Sequence, residues 1–411
     1  MTPFPYGFLW GAATAGHQVE GGNVNADLWP LEWAENSTFT EPSGDACDHY
    51  HRYPEDIAML AELGLTAYRF SLEWSRIEPE PGYFSRAALD HYRRMLDCCL
   101  SNGVTPVVTY NHFTLPRWMA GGGGWAAESS PEHFGRYASR VTEHLGDLLS
   151  WVCTLNEPNL MAMLATTGVL AMGTGGRRSA PGPSEVGSPG VGGFDATRYR
   201  MGLIASDVER MSAGHRSARE AIKSAAPHVK VGWTLALIDL QPAPGGEDRW
   251  REARERGQTD WLAVSRDDDF VGVQTYSRSL IGPDGNVPPH EGVPTMQTGW
   301  EVYPEALGHT VRLAADVARV PVLVTENGMA TDDDEARIAY TRRALEGLAG
   351  CVDDGVDVRG YLHWTLLDNF EWNAGYAITF GLVSVDRETF ARTVKPSARW
   401  LGQIAGANGL E

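Results

Sequence analysis

The stretch "LLSWVCTLNEPN", residues 148–159, carries the reading of the fold. Residues 148–155 are mostly apolar, as expected of a strand buried on both faces in a parallel sheet covered by helices. The run then delivers Asn156, Glu157 and Pro158. A carboxylate at the end of a buried strand is expensive unless something uses it. Proline disfavours the helical region for the residue before it, so Glu157 is expected to be extended and fixed at the strand end.

Working outward, short apolar runs alternate with longer amphipathic ones along the chain. Strands are expected at about 8–15, 67–74, 104–112, 148–157, 229–238, 270–278, 320–328 and 358–367. Helical periodicity lies between them. In 85–102, Leu89, Tyr92, Leu96 and Cys99 fall on one face of a 3.6-residue period. Similar stretches occupy about 53–64, 131–147, 195–226, 247–265, 303–319, 333–351 and 396–405. Eight strands, each followed by a helix, are the recipe for an α/β fold closed as a single (β/α)8 barrel, an architecture that typically takes ~250 residues. The surplus should lie in loops, chiefly the Gly-, Pro- and Ser-rich 173–194, and residues 1–411 are expected to form one catalytic domain. "AGGGG" (120–124) lacks the Lys and Ser/Thr of a phosphate loop and is expected to be a flexible turn.

Composition narrows the partners. The chain has 411 residues, 43% hydrophobic and 21% charged, with a net charge of −19. That acidity argues against a nucleic-acid backbone as partner. No run of ~18 apolar residues offers a membrane span, and the N-terminus has no basic leader. Cys47, Cys98, Cys99, Cys153 and Cys351 form an odd, scattered set without C-x-x-C spacing, which suits a reducing, cytoplasmic location rather than a disulfide framework.

The expected strand ends are polar in concert. Gln18 and Glu20 follow the first. Arg69 and Glu73 lie on the second, Asn111 and His112 end the third, and Asn156 and Glu157 the fourth. Tyr276 ends the sixth and Glu326 the seventh. The eighth leads through His363 and Trp364 to Asp368, Glu371 and Trp372. In such a barrel, strand C-termini build the active site. No H-E-x-x-H, G-x-S-x-G, phosphate-loop or dinucleotide pattern appears. Carboxylates with histidines leave a metal site open by residue type. Two glutamates on strands four and seven, with an arginine, a tyrosine and several tryptophans, fit glycoside hydrolysis, which uses paired carboxylates across a sugar.

Seven motifs in order, "FLWGAATAGHQVEG" (8–21), "YRFSLEWSRI" (68–77), "NHFTLP" (111–116), "TLNEPN" (154–159), "GWEVYPEAL" (299–307), "VTENG" (324–328) and "LHWTLLDNFEWNAGY" (362–376), resemble glycoside hydrolase family 1, the β-glucosidase family. The resemblance runs from Phe4 to about Trp400. It implies a retaining exo-β-glycosidase on small β-glucosides, with β-fucosides and β-galactosides also possible substrates, and no cofactor or metal. By position it makes Glu157 the general acid/base and Glu326 the nucleophile, with Arg69 and Tyr276 bonding the nucleophile. Asn156 then contacts the 2-hydroxyl. Gln18, His112, Trp364, Glu371 and Trp372 hold the glycone, and Trp300 walls the aglycone side. Apolar surroundings and a neighbouring carboxylate should raise the Glu157 pKa, while Arg69 and Tyr276 should favour ionised Glu326. Retention implies a carboxyl separation of ~5 Å.

Departures from the family pattern are Phe113, where Trp commonly follows His112, Gln274–Thr275 before Tyr276, His17 before Gln18, and Thr379 in "GYAITFG". They bear on aglycone choice more than on reaction type. Cys153 reads as core packing, Glu73 as a structural partner, and His112 as a hydroxyl donor rather than a metal ligand. Two other functions use the same residues: a transglycosylase, or a carbohydrate-binding barrel, which should have lost one glutamate. Retention of Glu371 argues against phosphorylated sugars. The expected partner is a small β-glycoside, with no nucleic acid or membrane; monomer and homo-oligomer stay open.

Overall fold

The computed structural model describes residues 3–167 and 208–410. Eight parallel strands close into a barrel: β1 (Leu9–Ala13), β2 (Ala67–Ser71), β3 (Thr105–Asn111), β4 (Trp151–Asn156), β5 (Lys230–Ala236), β6 (Val271–Gln274), β7 (Val322–Asn327) and β8 (Val358–Trp364). Each pairs with its sequence neighbours, and β1 closes the ring against β8. All eight lie inside the expected ranges. The loop at 173–194 and the start of the helix expected at 195–226 fall outside the described residues.

Alternation along the strands separates two environments. On β2, Tyr68 turns outward to bond His49 of the helix His49–Glu62, whereas Arg69 turns into the barrel and bonds Thr109 of β3. On β3, Tyr110 faces outward to Thr142 of the helix Ser130–Leu145. Apolar helix faces seal the outer layer. In Arg86–Ser101, Leu89, Tyr92, Leu96 and Cys99 are all buried, as their spacing requires, and the Ser85 side chain caps the first turn. A cap of this kind is worth ~1 kcal/mol.

Two regions depart from the sequence pattern. The helix expected at 247–265 is broken into Glu247–Arg254, a wider turn at Glu255–Thr259, and Asp260–Val264. Within that turn the Gly257 carbonyl accepts from Asn159, and a Cβ on Gly257 would come within 3.2 Å of the Met163 backbone. The ladder gives way there to admit the polypeptide after β4. Residues 120–124 join a short helix, Arg117–Gly121, to a 3-10 turn, Gly124–Ala126, through Gly123 at φ +105°.

Outside the barrel, a small sheet of Asp239–Pro242, Arg278–Gly282 and Gly285–Val287 gathers the segments that follow β5 and β6. The five cysteines are free. Among the described residues, no helix is long and apolar enough to cross a membrane.

Candidate active site

Both glutamate-bearing strands lose regular register just before the carboxylate. On β4 the shift against β5 falls between Cys153 and Asn156, and on β7 the shift against β6 falls between Val324 and Glu326. An extra residue in one strand swings the following side chains out of the simple alternation, which is how bulges re-aim residues at barrel rims.

Glu157 then departs from the extended geometry expected of it. Its φ is +46°, on the left-handed side, a conformation that costs an L-residue about 1–2 kcal/mol. Proline does bar the right-handed helix, but the turn is decided by tertiary anchors. The Glu157 N–H donates to the Thr234 carbonyl at 2.8 Å. Asn159 clamps the turn to the end of β5, donating to the Ala236 carbonyl at 2.7 Å and accepting from the Ala236 N–H at 3.0 Å. Phe113 (φ +67°) and Trp372 (φ +50°) share this left-handed geometry, and all three line one cleft. Local strain of this kind gathers at functional sites.

Of the two strand-end glutamates, Glu326 is the one held by partners. Arg69 donates from Nη1 to its Oε1 at 2.5 Å, and Tyr276 donates its hydroxyl to Oε2 at 2.6 Å. The other Arg69 nitrogen donates to Asn156 Oδ1 at 2.6 Å. That oxygen also accepts from Gln274 Nε2 at 2.9 Å and from the Thr234 hydroxyl at 3.2 Å. Three donors on Oδ1 settle which way the Asn156 amide points and leave its N–H groups uncommitted.

Electrostatics separates the two glutamates. Burial pushes Glu157 well above the usual carboxyl range, and the charge of Glu326 pushes it further, against the pull of Arg69. Burial raises Glu326 as well, contrary to the simple expectation of a depressed value. There the Arg69 charge and the hydrogen bonds from Tyr276 and Arg69 oppose it. Glu157 therefore keeps its proton to higher pH than Glu326 does.

A second group adjoins these residues. Gln18 donates to the Phe370 carbonyl at 2.7 Å, but its Oε1 is buried with no partner. Glu371 is buried with both oxygens unpartnered, although the Trp364 indole and the Gln18 amide lean toward it. Burial pushes its carboxyl well above the ordinary range, and the charges of Glu326 and Asp368 add to this. His112 has an unpartnered Nδ1, and its ring stacks 5.9 Å from Trp364 and 6.3 Å from Trp372. Burial and the charge of Arg69 push it well below its usual value, so the ring is neutral. His17 stacks on the other side of Trp372 at 5.8 Å, fixed by Glu32 at 2.6 Å.

The cleft itself opens beside Glu157 and is bounded by Tyr276, Trp300 and Trp372. Trp300 lies 5.7 Å from the Tyr276 ring. The eleven residues marked in the sequence thus form one connected set. Glu73 stands apart from the cleft. It accepts from the His17 N–H, Asn23 and Thr114 at 2.9, 2.6 and 2.9 Å, and is pushed up to about 7 by burial and by Glu20. It ties together the loops after β1, β2 and β3. Cys153 is buried, with its thiol pushed up to about 11 by burial, as a packing residue would be.

Sequence reading missed the work of Gln274 and Asn159. It also missed an apolar wall formed by Leu160, Met163, Leu164, Leu237 and Ile238. The signal for three of those five was present: residues 160, 163 and 164 share a helix face immediately after the N-E-P-N run.

Comparison with known proteins gives a consistent result. The profile of glycosyl hydrolase family 1 matches residues 1–264 and 265–410. The chain is 31% identical to β-glucosidase A of Thermotoga maritima, over 99% of each chain. It is 33% identical to a bifunctional β-D-glucosidase/β-D-fucosidase of Bifidobacterium breve, over 97% of each. Among solved structures, a β-glycosidase designated BGL167 superposes with a TM-score of 0.91 at 51% identity, covering 100% of this chain and 99% of the other.

Proposed function

The chain belongs to glycosyl hydrolase family 1, and we propose that it is a retaining exo-β-glycosidase acting on small β-glucosides, with β-fucosides and β-galactosides as secondary substrates. Residues 1–411 then act as one catalytic domain.

One observation carries the reading: both oxygens of Glu326 are held by Arg69 and Tyr276, whereas the raised carboxyl of Glu157 faces the cleft without such partners. Glu157 arrives protonated and gives its proton to the glycosidic oxygen, while Glu326 attacks the anomeric carbon and forms a glycosyl ester. The C–O bond to the aglycone breaks as the ester forms. Glu157, now ionised, takes a proton from water, which hydrolyses the ester and releases the sugar with its original configuration. Asn156 offers its N–H groups to the 2-hydroxyl, where an added hydrogen bond in the transition state lowers the barrier. Gln18, His112 and Glu371 present unpartnered polar atoms to the other hydroxyls, and Trp364 and Trp372 provide the apolar faces that sugar rings pack against. Support for the substrate class comes from the relatives' names, including the glucosidase/fucosidase of Bifidobacterium breve.

A 2-deoxy-2-fluoro-β-glucoside with a dinitrophenyl leaving group tests the mechanism. Fluorine slows both steps and the reactive leaving group rescues only the first, so the ester should accumulate. The protein should gain the mass of one fluorosugar, mapped to Glu326, and Glu326→Gln should neither label nor turn over. Label on Glu157 or Glu73, or an inverted natural product, would overturn the assignment.

A further inference from the structure

We infer that the cleft beyond Glu157 is a binding site for an apolar aglycone, an alkyl chain or aryl ring, and that it selects against a second sugar. The inference rests on the proposed glycosidase reading, and it adds what leaves with the departing oxygen.

The helix Leu160–Thr167 starts three residues after Glu157 and turns Leu160, Met163 and Leu164 to the cleft. Leu237 and Ile238, carried past the end of β5, and Trp300 complete an apolar lining among the described residues. The polar side chains on this wall are largely committed elsewhere. Arg278 makes two bonds to Glu301, at 2.9 and 2.8 Å, and lies 4.2 Å over the Tyr303 ring. Ser277 donates to the Glu301 carbonyl at 2.6 Å, and Ser279 bonds Asn286 at 2.8 Å. Gln274 spends its amide hydrogen on Asn156, and only its Oε1 is buried without a partner.

A sugar in this cleft would bring a hydroxyl on nearly every carbon. Few partners wait for them there, chiefly Gln274 Oε1 and the Asn373 side chain at the rim, so most would leave water at a cost of the order of a lost hydrogen bond per group. An alkyl chain or aromatic ring forfeits no hydrogen bond and removes the leucine, methionine and tryptophan surfaces from water. Continuity with Glu157 identifies the occupant, since whatever fills the cleft sits on the oxygen that Glu157 protonates.

The test is the kcat/KM of methyl through hexyl β-glucosides, cellobiose and β-glucosyl fluoride. Simple alkoxides are similar leaving groups, so differences along the series report binding. Each added CH2 should raise kcat/KM about threefold to fourfold until the cleft is filled, and hexyl β-glucoside should exceed cellobiose by at least about tenfold. Leu164→Asn and Ile238→Asn should each lower the hexyl-to-fluoride ratio about tenfold, with folding checked by thermal melting. A flat series, or cellobiose equal to the hexyl glucoside, overturns the inference. Failure to turn over β-glucosyl fluoride would count against the glycosidase reading instead. In that event, calorimetric binding of hexyl against methyl 1-thio-β-glucoside decides the cleft: tighter hexyl binding supports it and equal binding overturns it.

Discussion

The pocket around Gln18, His112 and Glu371 and the cleft around Leu160, Leu164 and Trp300 meet at Tyr276 and Trp372, yet they treat polar atoms in opposite ways. In the pocket, four buried side-chain atoms lack partners: Gln18 Oε1, His112 Nδ1 and both oxygens of Glu371. Along the cleft, Arg278, Ser277 and Ser279 are bonded to the protein itself. Buried unpaired groups cost stability, and a cluster of them in one place calls for a partner from outside the chain. On the proposed reading, the pocket takes the polyhydroxylated ring and the cleft a group with few hydroxyls.

The largest effect should come from Glu157, which stands at the boundary. Glu157→Gln should slow glucosides with poor leaving groups by roughly 10²–10⁴, the range of a general acid, and slow glycosylation by dinitrophenyl glucosides far less. Equal loss across the leaving-group series would remove the boundary from this residue. The pH profile adds a sign. With the proposed roles, activity requires Glu157 protonated and Glu326 ionised. Hence kcat/KM should fall on the alkaline side as pH rises through the raised Glu157 value, and on the acid side as pH drops through that of Glu326. In Glu157→Gln the alkaline limb should disappear.

A smaller change tests the pocket. Glu371→Gln removes charge-assisted bonds to two hydroxyls, and kcat/KM on β-glucosides should drop roughly 10²-fold. The same substitution should stabilise the free protein. Because burial raises the Glu371 value, the fold binds that proton more tightly than the unfolded chain does. The benefit is present below the ordinary carboxyl range and lost as pH rises through the folded value. A neutral amide escapes that loss, so stability at pH 7 should rise by about 1–3 kcal/mol, read as a higher melting temperature. An unchanged or lower melting temperature would mean the carboxylate is satisfied in the free protein.

The smallest effect concerns the wall. Trp300→Ala should lower kcat/KM for aryl β-glucosides, relative to β-glucosyl fluoride, by roughly tenfold. An equal loss on both would place Trp300 with the glycone and blur the distinction between the regions.

Legibility in the sequence followed the same division. The marked residues lie in motifs that carry a chemical type at a fixed strand end, such as Glu157 in "TLNEPN" and Glu371 in "NFEW". Cleft residues are ordinary leucines and a methionine, indistinguishable by type from those of the core. Leu237 and Leu235 are both buried and only two positions apart, but only Leu237 lines the cleft. Gln274 was visible only as a departure from a pattern. Its bond to Asn156 spans 118 positions, and no local signal encodes such a partner.

Residue order by itself determined the eight strands, the helices that follow them and the chemical identity of the strand-end residues. These depend on periodicity and side-chain type, which act within a few neighbours. Ring closure decided the rest. It brought Arg69 to Glu326 across 257 positions and let the clamps on Asn159 hold Glu157 at positive φ. Register shifts on β4 and β7 precede both carboxylates, and Glu157 comes to line the cleft. The ordering of the two glutamate pKa values also belongs to the tertiary structure. Burial raises both, and the placement of Arg69 and Tyr276 around Glu326 opposes the rise there, while Glu157 lacks such hydrogen bonds. Desolvation and partner geometry are properties of what surrounds a group in space, and strands far apart in the chain supply those surroundings.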